Sequence, residues 1–348
     1  MKGVVSMTIQ KIQLSNFTVF EQLDIEFCEG INLFIGDNGT GKTHLMKLIY
    51  SACKAADPRI SFSQKIVNTF RPDDFKIGRL VHKRHGTTSS SVKIYAKKEE
   101  VLKTLSINFS TRTTKWDAEV KNEENWEKTL SNIESTFIPA KEILSNSYNI
   151  ISANEKNNVD FDDTYIDIIH SAKVDISVGR NAQGKKKQLE RLEKIIEGKV
   201  FFDVPKDKFY LKYGQSKVEF NLVAEGIRKI ALLWQLMKNG TLEKGSILFW
   251  DEPEANINPV HIPLLVDMLL ELQNGGVQIF ISTHDYTLCK YFDIKARTEG
   301  TVKFHSLYKT ERGVKCESNE KFKNLERNTI RDTFIQLYKD EVKMEMES

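Results

Sequence analysis

A short apolar stretch that runs into a glycine-rich loop, followed at once by a helical pattern, constrains the fold of this chain more than any other feature. Residues 31–36 (INLFIG) are typical of a buried strand. Residues 36–43 read GDNGTGKT and fit the pattern G-x-x-x-x-G-K-[ST]. A helical repeat of apolar residues follows and ends at Asp57-Pro58; its members are Leu45, Leu48, Ile49, Ala52 and Ala56. This order predicts a phosphate-binding loop between a strand and a helix.

The chemistry of phosphate binding explains the spacing in this loop. Glycines let successive backbone N–H groups curve around phosphate oxygens, and the helix beginning at Gly41 points its partially positive end at the same anion. Lys42 can neutralise the β- and γ-phosphates, and the Thr43 hydroxyl can bind Mg²⁺. The residues that we predict to bind nucleotide are Gly36, Asn38, Gly39, Thr40, Gly41, Lys42, Thr43 and His44.

A second buried-strand pattern, at residues 246–250, ends in two carboxylates. Asp251 is suited to holding Mg²⁺, directly or through water, together with Thr43. Glu252 would lie beyond the γ-phosphate and orient or deprotonate the attacking water. An acidic pair alone often just ends a strand at the surface, so this interpretation depends on the phosphate loop.

A third apolar run, at residues 277–283, is followed directly by His284. A lone histidine is usually structural. Placed after an acidic strand end and one helix, however, His284 is better interpreted as a switch histidine that contacts the γ-phosphate. Glu252, His284 and Lys42 are therefore the predicted catalytic residues.

The rest of the chain fits an α/β protein. Residues 89–116 predict two strands of a small antiparallel sheet, and residues 145–199 are polar and mostly helical. Strands are predicted at 200–204, 209–213 and 216–220, and helices at 225–238, 260–273 and 326–345. Parallel strands that alternate with helices favour an α/β core.

Composition excludes several classes of protein. The 348 residues carry a net charge of only +3, so overall charge does not indicate nucleic acid as a partner, although a local basic face stays open. No apolar run approaches a membrane span, and the N-terminal residues lack the apolar core of a signal peptide. The four cysteines show no metal-ligand spacing, and we expect reduced thiols in a cytoplasmic protein.

The order of these motifs resembles the ABC-type ATPase heads of the RecF, Rad50/SMC and OLD group, within the AAA family. The segment Glu-Ala-Asn-Ile-Asn-Pro at 254–259 lies between the acidic pair and Thr283-His284-Asp285, as in that group. Residues 9–20 are similar to the first strand of those heads, and residues 137–142 (FIPAKE) look like the segment that stands in for the Q-loop. Within the group, the chain looks closest to ATPase subunits of bacterial antiphage systems of the PARIS and Septu types.

The resemblance implies a P-loop NTPase fold of the ABC-ATPase head type, with a mixed central sheet, a small antiparallel β-subdomain and a short helical insertion. We expect one domain over 1–348. Its predicted parts are a nucleotide-binding core at 1–60 and 221–310, the β-subdomain at 61–144, an insertion region with signature-side strands at 145–220, and a C-terminal helical tail at 311–348.

Such heads dimerise or form higher homo-oligomers head to tail, with ATP and Mg²⁺ held between the phosphate loop and an opposing signature motif. Residues 223–229 are the candidate signature, in which Gly226 can bring backbone N–H groups to the γ-phosphate. Ala224 cannot supply the usual serine hydroxyl, and Arg228 or Lys229 is expected to supply charge instead. The alternative is an ordinary amphipathic helix start.

Two lengths narrow the possible functions. Position 42 and position 251 are 209 residues apart, too few for long coiled-coil arms, and the 64 residues after His284 leave no room for an OLD-type nuclease domain. We therefore expect a regulatory ATPase that controls a separately encoded effector, such as a toxin or nuclease. A RecF-like DNA-repair ATPase is the alternative, while a transporter subunit and a small-molecule kinase fit less well.

The segment 70–84 is basic and could contact DNA phosphates. Its cations include Lys76, Arg79, Lys83 and Arg84, and a weaker alternative is that Arg79 or Arg84 reaches nucleotide phosphates. A solvated face or a subunit contact is the preferred interpretation, because only one interior aromatic residue is available to stack on bases.

Overall fold

The computed structural model describes residues 7–82, 86–99, 101–131, 133–148, 150–156, 161–174, 182–296 and 298–347. The strands are β1 Met7–Phe17, β2 Phe20–Glu26, β3 Ile31–Gly36, β4 Ser89–Lys98, β5 Val101–Ser110, β6 Glu119–Lys121, β7 Ser135–Ile138, β8 Lys199–Asp203, β9 Lys208–Tyr213, β10 Ser216–Glu219, β11 Ile247–Asp251, β12 Gln278–Ser282, β13 Val302–Thr310 and β14 Gly313–Asn319. The helices are α1 Lys42–Lys54, α2 Phe62–Phe70, α3 Glu123–Leu130, α4 Ile150–Glu155, α5 Asp163–Lys173, α6 Ala182–Ile196, α7 Glu225–Lys238, α8 Ile262–Asn274, α9 Tyr286–Lys295 and α10 Thr329–Glu347.

A six-stranded mixed sheet forms the centre of the molecule, in the order β14-β13-β3-β12-β11-β7. The pairs from β13 to β7 are parallel, and only the edge strand β14 pairs antiparallel. The buried runs predicted at 31–36, 246–250 and 277–283 are neighbouring strands of this sheet, with β12 between β3 and β11. The predicted α/β fold with a mixed central sheet is confirmed.

Alternation along β3 shows how one strand serves two hydrophobic cores. Ile31, Leu33 and Ile35 face one core, which includes side chains of α5 to α9, whereas Phe34 faces a second core with α1 and the antiparallel strands. Because both faces of the strand are covered, every residue of β3 is buried. A mostly apolar run is therefore the sequence pattern for this position, and its one polar side chain, Asn32, is hydrogen-bonded to the main chain of Cys28.

A ladder of four phenylalanines crosses the sheet on the second face. The rings of Phe34, Phe280, Phe249 and Phe137 stack in that order, with neighbouring centroids 6.3, 5.1 and 6.1 Å apart. They come from β3, β12, β11 and β7 in their order within the sheet. These contacts tie the edge strand β7 to the strand that precedes the phosphate loop.

The boundaries of the predicted segments do not coincide with the sheets that the strands form. β1 and β2, from segment 1–60, form a five-stranded antiparallel sheet with β4, β5 and β6, whereas β7, from segment 61–144, joins the central sheet. The burial of β1 alternates, which suits a sheet with one face toward water, while all four residues of β7 are buried. The predicted helical tail at 311–348 likewise begins with β14, an edge strand of the central sheet, and becomes helical only at α10.

The described parts of 145–199 are helical as predicted, and the three strands that follow form a separate antiparallel sheet in the order β10-β9-β8. Helices α2 and α3 were not predicted. All four cysteines are free thiols. Within the described residues, no helix is long and apolar enough to span a membrane.

A buried cation joins the helical insertion to the helices beside the phosphate loop. Lys65 of α2 is 6% exposed and lies 2.7 Å from carboxylate oxygens of both Asp163 and Asp167 in α5. Tyr50 of α1 donates its hydroxyl to Asp167 at 2.5 Å. Burial alone would lower the pKa of Lys65, but the two aspartates outweigh it and the pKa is raised.

Substitution Lys65→Met should lower the free energy of unfolding by about 2–3 kcal/mol, because it leaves two partly buried carboxylates without their cation. Chemical denaturation would measure the loss. The control is Lys128→Met, which removes an exposed pair with Glu124 at 3.4 Å and should cost less than about 0.5 kcal/mol. Equal losses for the two variants would show that the network adds no stability.

Candidate functional site

The phosphate loop joins β3 to α1 at the carboxyl edge of the central sheet, where parallel strands of α/β proteins commonly present ligand sites. Gly41 immediately precedes α1 with φ 89°, a left-handed conformation that disfavours other residues. A Cβ at this position would lie 2.5 Å from Cζ of Phe20. The loop therefore packs directly against the turn between β1 and β2, and a glycine is required there.

Lys42 lies across the curve of this loop. Its Nζ donates to the carbonyl oxygens of Gly36 at 2.7 Å and Asp37 at 3.1 Å, and the residue is 7% exposed. Burial lowers its pKa, while nearby carboxylates, led by Asp251, act in the opposite direction. The sequence thus places an ammonium group at the centre of the loop, where phosphates are predicted to bind.

The other predicted loop residues differ in their surroundings. Thr40 is buried and donates its hydroxyl to the Asp37 carbonyl at 2.8 Å, whereas Asn38 and Gly39 are exposed at the tip. Burial lowers the pKa of His44 to about 4, and its ring packs against Phe70 with centroids 5.5 Å apart. The imidazole is therefore neutral at pH 7, and His44 can offer phosphate its backbone N–H rather than a charge.

Three oxygen-bearing side chains meet where α1 begins and where β11 and β12 end. The Thr43 hydroxyl lies 3.1 and 3.0 Å from the two carboxylate oxygens of Asp251, and Ser282 donates its hydroxyl to Asp251 at 2.5 Å. Burial raises the pKa of Asp251, whereas the bonds from Ser282 and Thr43 lower it. Hydroxyl and carboxylate oxygens are hard ligands of the kind that Mg²⁺ prefers. The chemistry of this set fits the predicted cation, and Ser282 is a member that the sequence did not identify.

Glu252 and His284 lie side by side at the open face of the same edge. The His284 Nδ1 is 3.4 Å from Oε1 of Glu252, and the two side chains are 51% and 33% exposed, respectively. Glu252 has φ 47°, a left-handed conformation that costs a non-glycine residue about 1–3 kcal/mol. Glu252 is the one predicted catalytic residue with such a backbone, although eleven other non-glycine residues of the described chain share it.

A buried carboxylate beside the pair was not predicted. Thr283 donates its hydroxyl to Oε1 of Glu254 at 2.6 Å, and burial raises the pKa of Glu254. Asp285 accepts the Leu288 amide at 2.6 Å and so caps α9. The residues on both sides of His284 are therefore anchored by side-chain hydrogen bonds, which holds the backbone from which the imidazole extends.

The predicted signature segment forms the start of α7. A Cβ on Gly226 would lie 2.3 Å from the carbonyl oxygen of Asn256, so this glycine allows close packing on segment 254–259 of the same subunit. Arg228 forms an ion pair with buried Glu142 at 2.7 Å, and Lys229 donates to the carbonyl of Glu252 at 3.2 Å. Both charges are engaged inside the subunit, against the expectation that one would reach a nucleotide across an interface. The reason is that Glu142, at 1% exposure, requires an internal cation.

The basic segment is partly neutralised by its own acidic residues. Lys76 lies 2.9 Å from Asp74, and Arg79 lies 3.3 Å from Asp73. Lys83 and Arg84 lie outside the described residues. The pairing weakens the case for a phosphate-binding face at the described cations.

Comparison with protein families identifies one match over most of the chain. The sequence model of a family described as "AAA domain, putative AbiEii toxin, Type IV TA system" matches residues 31–290. This range includes the phosphate loop, the acidic pair and His284.

Curated relatives share a shorter stretch. The DNA replication and repair protein RecF of Clostridium botulinum (strain Eklund 17B / Type B) is 31% identical over 104 residues, which are 30% of this chain and 28% of that protein. RecF of Clostridium kluyveri is 39% identical over 62 residues, 18% of this chain and 17% of the relative. The chain thus matches less than a third of the length of either relative.

Solved structures resemble the chain over nearly its whole length. An SMC head bound to the C-terminal winged-helix domain of ScpA has a TM-score of 0.57 at 14% identity and covers 90% of this chain and 98% of its own. The SMC head domain of Thermotoga maritima has a TM-score of 0.51 at 10% identity, with 90% and 99% covered. At these identities the likeness establishes the ABC-type head fold alone.

Substitution Lys42→Ala should weaken ATP binding at least about 100-fold, which corresponds to about 2.7 kcal/mol, because the loop loses its only internal cation. Isothermal titration calorimetry with MgATP would measure the dissociation constant. Lys54→Ala, at the opposite end of α1, is the control and should bind ATP like the wild type. Wild-type affinity in Lys42→Ala would contradict the assignment of the loop.

Proposed function

Because the chain belongs to this family of AAA domains, we propose that it is an ATP-binding and ATP-hydrolysing switch that oligomerises on MgATP and controls a partner protein. The observation that carries the proposal is the meeting of Thr43, Asp251, Glu252 and His284 at one edge of the sheet. This arrangement places a candidate Mg²⁺ site next to a candidate base.

Each residue has a defined role in the proposed reaction. Lys42 and the loop amides bind the phosphates of ATP, and Thr43 and Asp251 hold Mg²⁺, which offsets negative charge on the phosphates. Glu252 orients water and accepts its proton, and His284 interacts with the γ-phosphate. The products are ADP and inorganic phosphate.

The position of the proposed base supports oligomerisation. Glu252 and His284 are both partly open to solvent, so a second subunit that covers them would exclude water from the reacting phosphate. The start of α7, with Gly226 in its first turn, is the proposed contact from that subunit. In this arrangement two heads hold ATP between them.

The helix α10 supports the control of a partner. Thr329, its first residue, donates its hydroxyl to the Asp37 carboxylate of the phosphate loop at 2.8 Å. The ring of Phe334 stacks on the ring of Tyr286, which lies two residues after His284, with the centroids 4.3 Å apart. Beyond this base the helix exposes a set of apolar side chains, among them Leu337, Tyr338, Met344 and Met346 at 62–83%. An exposed apolar surface of this kind is typical of a protein-binding site, and its base contacts the predicted nucleotide site.

The proposed setting is bacterial antiphage defence in the cytoplasm, with a toxin or nuclease as the separately encoded effector. The family description supports a partnered system, because it names a putative toxin and a toxin–antitoxin system. ATP binding and hydrolysis would then switch the protein between two conformations, each of which presents a different surface to the effector.

A RecF-like ATPase that binds DNA is the second candidate, favoured by the identity to RecF proteins over up to 104 residues. It predicts tight, salt-dependent binding of duplex DNA in the ATP-bound state. The net charge of +3 and the paired cations of the basic segment weigh against it.

Substitution Glu252→Gln should lower kcat at least about 100-fold and trap an ATP-bound oligomer, because the amide cannot accept a proton from water. A phosphate-release assay and mass photometry with MgATP would measure both effects. Hydrolysis at the wild-type rate would refute the assignment of the base. ATP-induced dimers that retain duplex DNA at moderate salt would replace this proposal with the RecF-like one.

The double variant Leu337→Asp with Tyr338→Asp should abolish a complex with the product of the adjacent gene and leave ATPase activity within about twofold of wild type. The charges remove the apolar surface without touching the phosphate loop. Lys339→Asp, on the polar side of α10, is the matched control and should retain the complex. Mass photometry of the mixed proteins would measure it, and a complex retained by the double variant would exclude α10 as the contact.

A further inference from the structure

Lys229 of α7 has an unusual environment for a lysine. It is 1% exposed and is one of the largest fully buried side chains of the described protein. Its Nζ donates to the main-chain carbonyl of Glu252 at 3.2 Å. Among the described residues, no carboxylate lies within 4.0 Å of this ammonium, so the bond to Glu252 is its specific contact.

Burial of this cation is costly, which indicates a role for its charged end. Burial lowers the pKa of Lys229, and the surrounding carboxylates of Glu225, Glu254, Glu252 and Asp251 counter that effect in part. A methionine or leucine would fill the same volume without desolvating a charge. The ammonium therefore contributes a charged hydrogen-bond donor, which packing alone does not provide.

The bond that Lys229 makes falls on the strained residue of the site. The Glu252 carbonyl also accepts the Ala255 amide at 3.1 Å, and the Glu252 amide donates to the carbonyl of Ser282 at 2.9 Å. The left-handed backbone of Glu252 is thus bonded on both sides of its Cα. Lys229 adds a second donor to the Glu252 carbonyl, and a charged donor bonds a carbonyl more strongly than a neutral one.

The same turn of α7 touches the chain just beyond Glu252. Gly226, three residues before Lys229, packs against the carbonyl of Asn256. The first turn of α7 therefore contacts residues 252–257 at two points, through a charged hydrogen bond and through close backbone packing. A displacement of α7 would be transmitted to Glu252 by both contacts.

We infer that Lys229 is a positioning residue for Glu252: it holds the main chain of the general base in its left-handed conformation and ties that base to the start of α7. The inference rests on the proposed function for the role of Glu252. It adds that hydrolysis depends on a lysine that touches neither ATP nor Mg²⁺. Loss of this lysine should therefore lower kcat and leave nucleotide binding unchanged.

Lys229→Met and Lys229→Arg are the test variants, and Lys295→Met is the matched control. Lys295 also donates to a main-chain carbonyl, that of Pro263 at 2.9 Å, far along the chain from the base. Steady-state hydrolysis should show kcat at least about 10-fold lower in Lys229→Met with KM within about twofold of wild type. Lys229→Arg should recover most of the rate, because it restores a cationic donor, and Lys295→Met should keep the wild-type kcat.

Hydrogen exchange separates this inference from the proposed function, because it needs no activity. In Lys229→Met the amide of Ala255 should exchange at least about 10-fold faster than in wild type, and Lys295→Met should not change it. A wild-type protein that does not hydrolyse ATP would refute the proposed function and leave the exchange result to judge the positioning role. Unchanged exchange or an unchanged kcat in Lys229→Met would overturn the inference. If Lys229→Met does not fold, Lys229→Gln is judged by the same two measurements.

Discussion

The contact between the Thr43 hydroxyl and the Asp251 carboxylate is the interaction on which the rest of the site depends. It joins the first turn of α1 to the end of β11 across β12, whose Ser282 also donates to Asp251. A buried carboxylate is stable there because two hydroxyls bond it. The ends of β11 and β12 and the start of α1 are thereby held in one arrangement, and Glu252 follows Asp251 directly at the exposed face.

Helix α7 links this edge to distant parts of the chain through buried charge. Arg228 pairs with Glu142 after β7, and Lys229 reaches the backbone of Glu252 after β11. Buried ion pairs add little net stability in general, but loss of one partner is costly because the other charge remains buried. Such contacts restrict α7 to arrangements that satisfy both cations.

Two contacts also connect the phosphate loop and the residues after His284 to the exposed helix α10. The contact of Thr329 with Asp37 and the stacking of Phe334 on Tyr286 place the base of α10 beside both the loop and the histidine. The head fold shared with SMC proteins at 14% identity supplies the scaffold, while these contacts belong to the residues of this chain. The proposed switch requires such a connection, since a ligand shifts a conformational equilibrium only through contacts that differ between the two states.

The amino-acid sequence by itself determined the strands β3, β11 and β12 and the loop that follows β3, because a strand covered on both faces is mostly apolar and a phosphate loop needs its glycines and lysine at set spacings. It did not determine which sheet β1, β7 and β14 join, since half-exposed and edge strands fit several pairings. Only the tertiary structure decided the partners of Arg228 and Lys229. Their acceptors lie 86 and 23 residues away, and the direction of a charged side chain depends on which buried groups the fold brings within its reach.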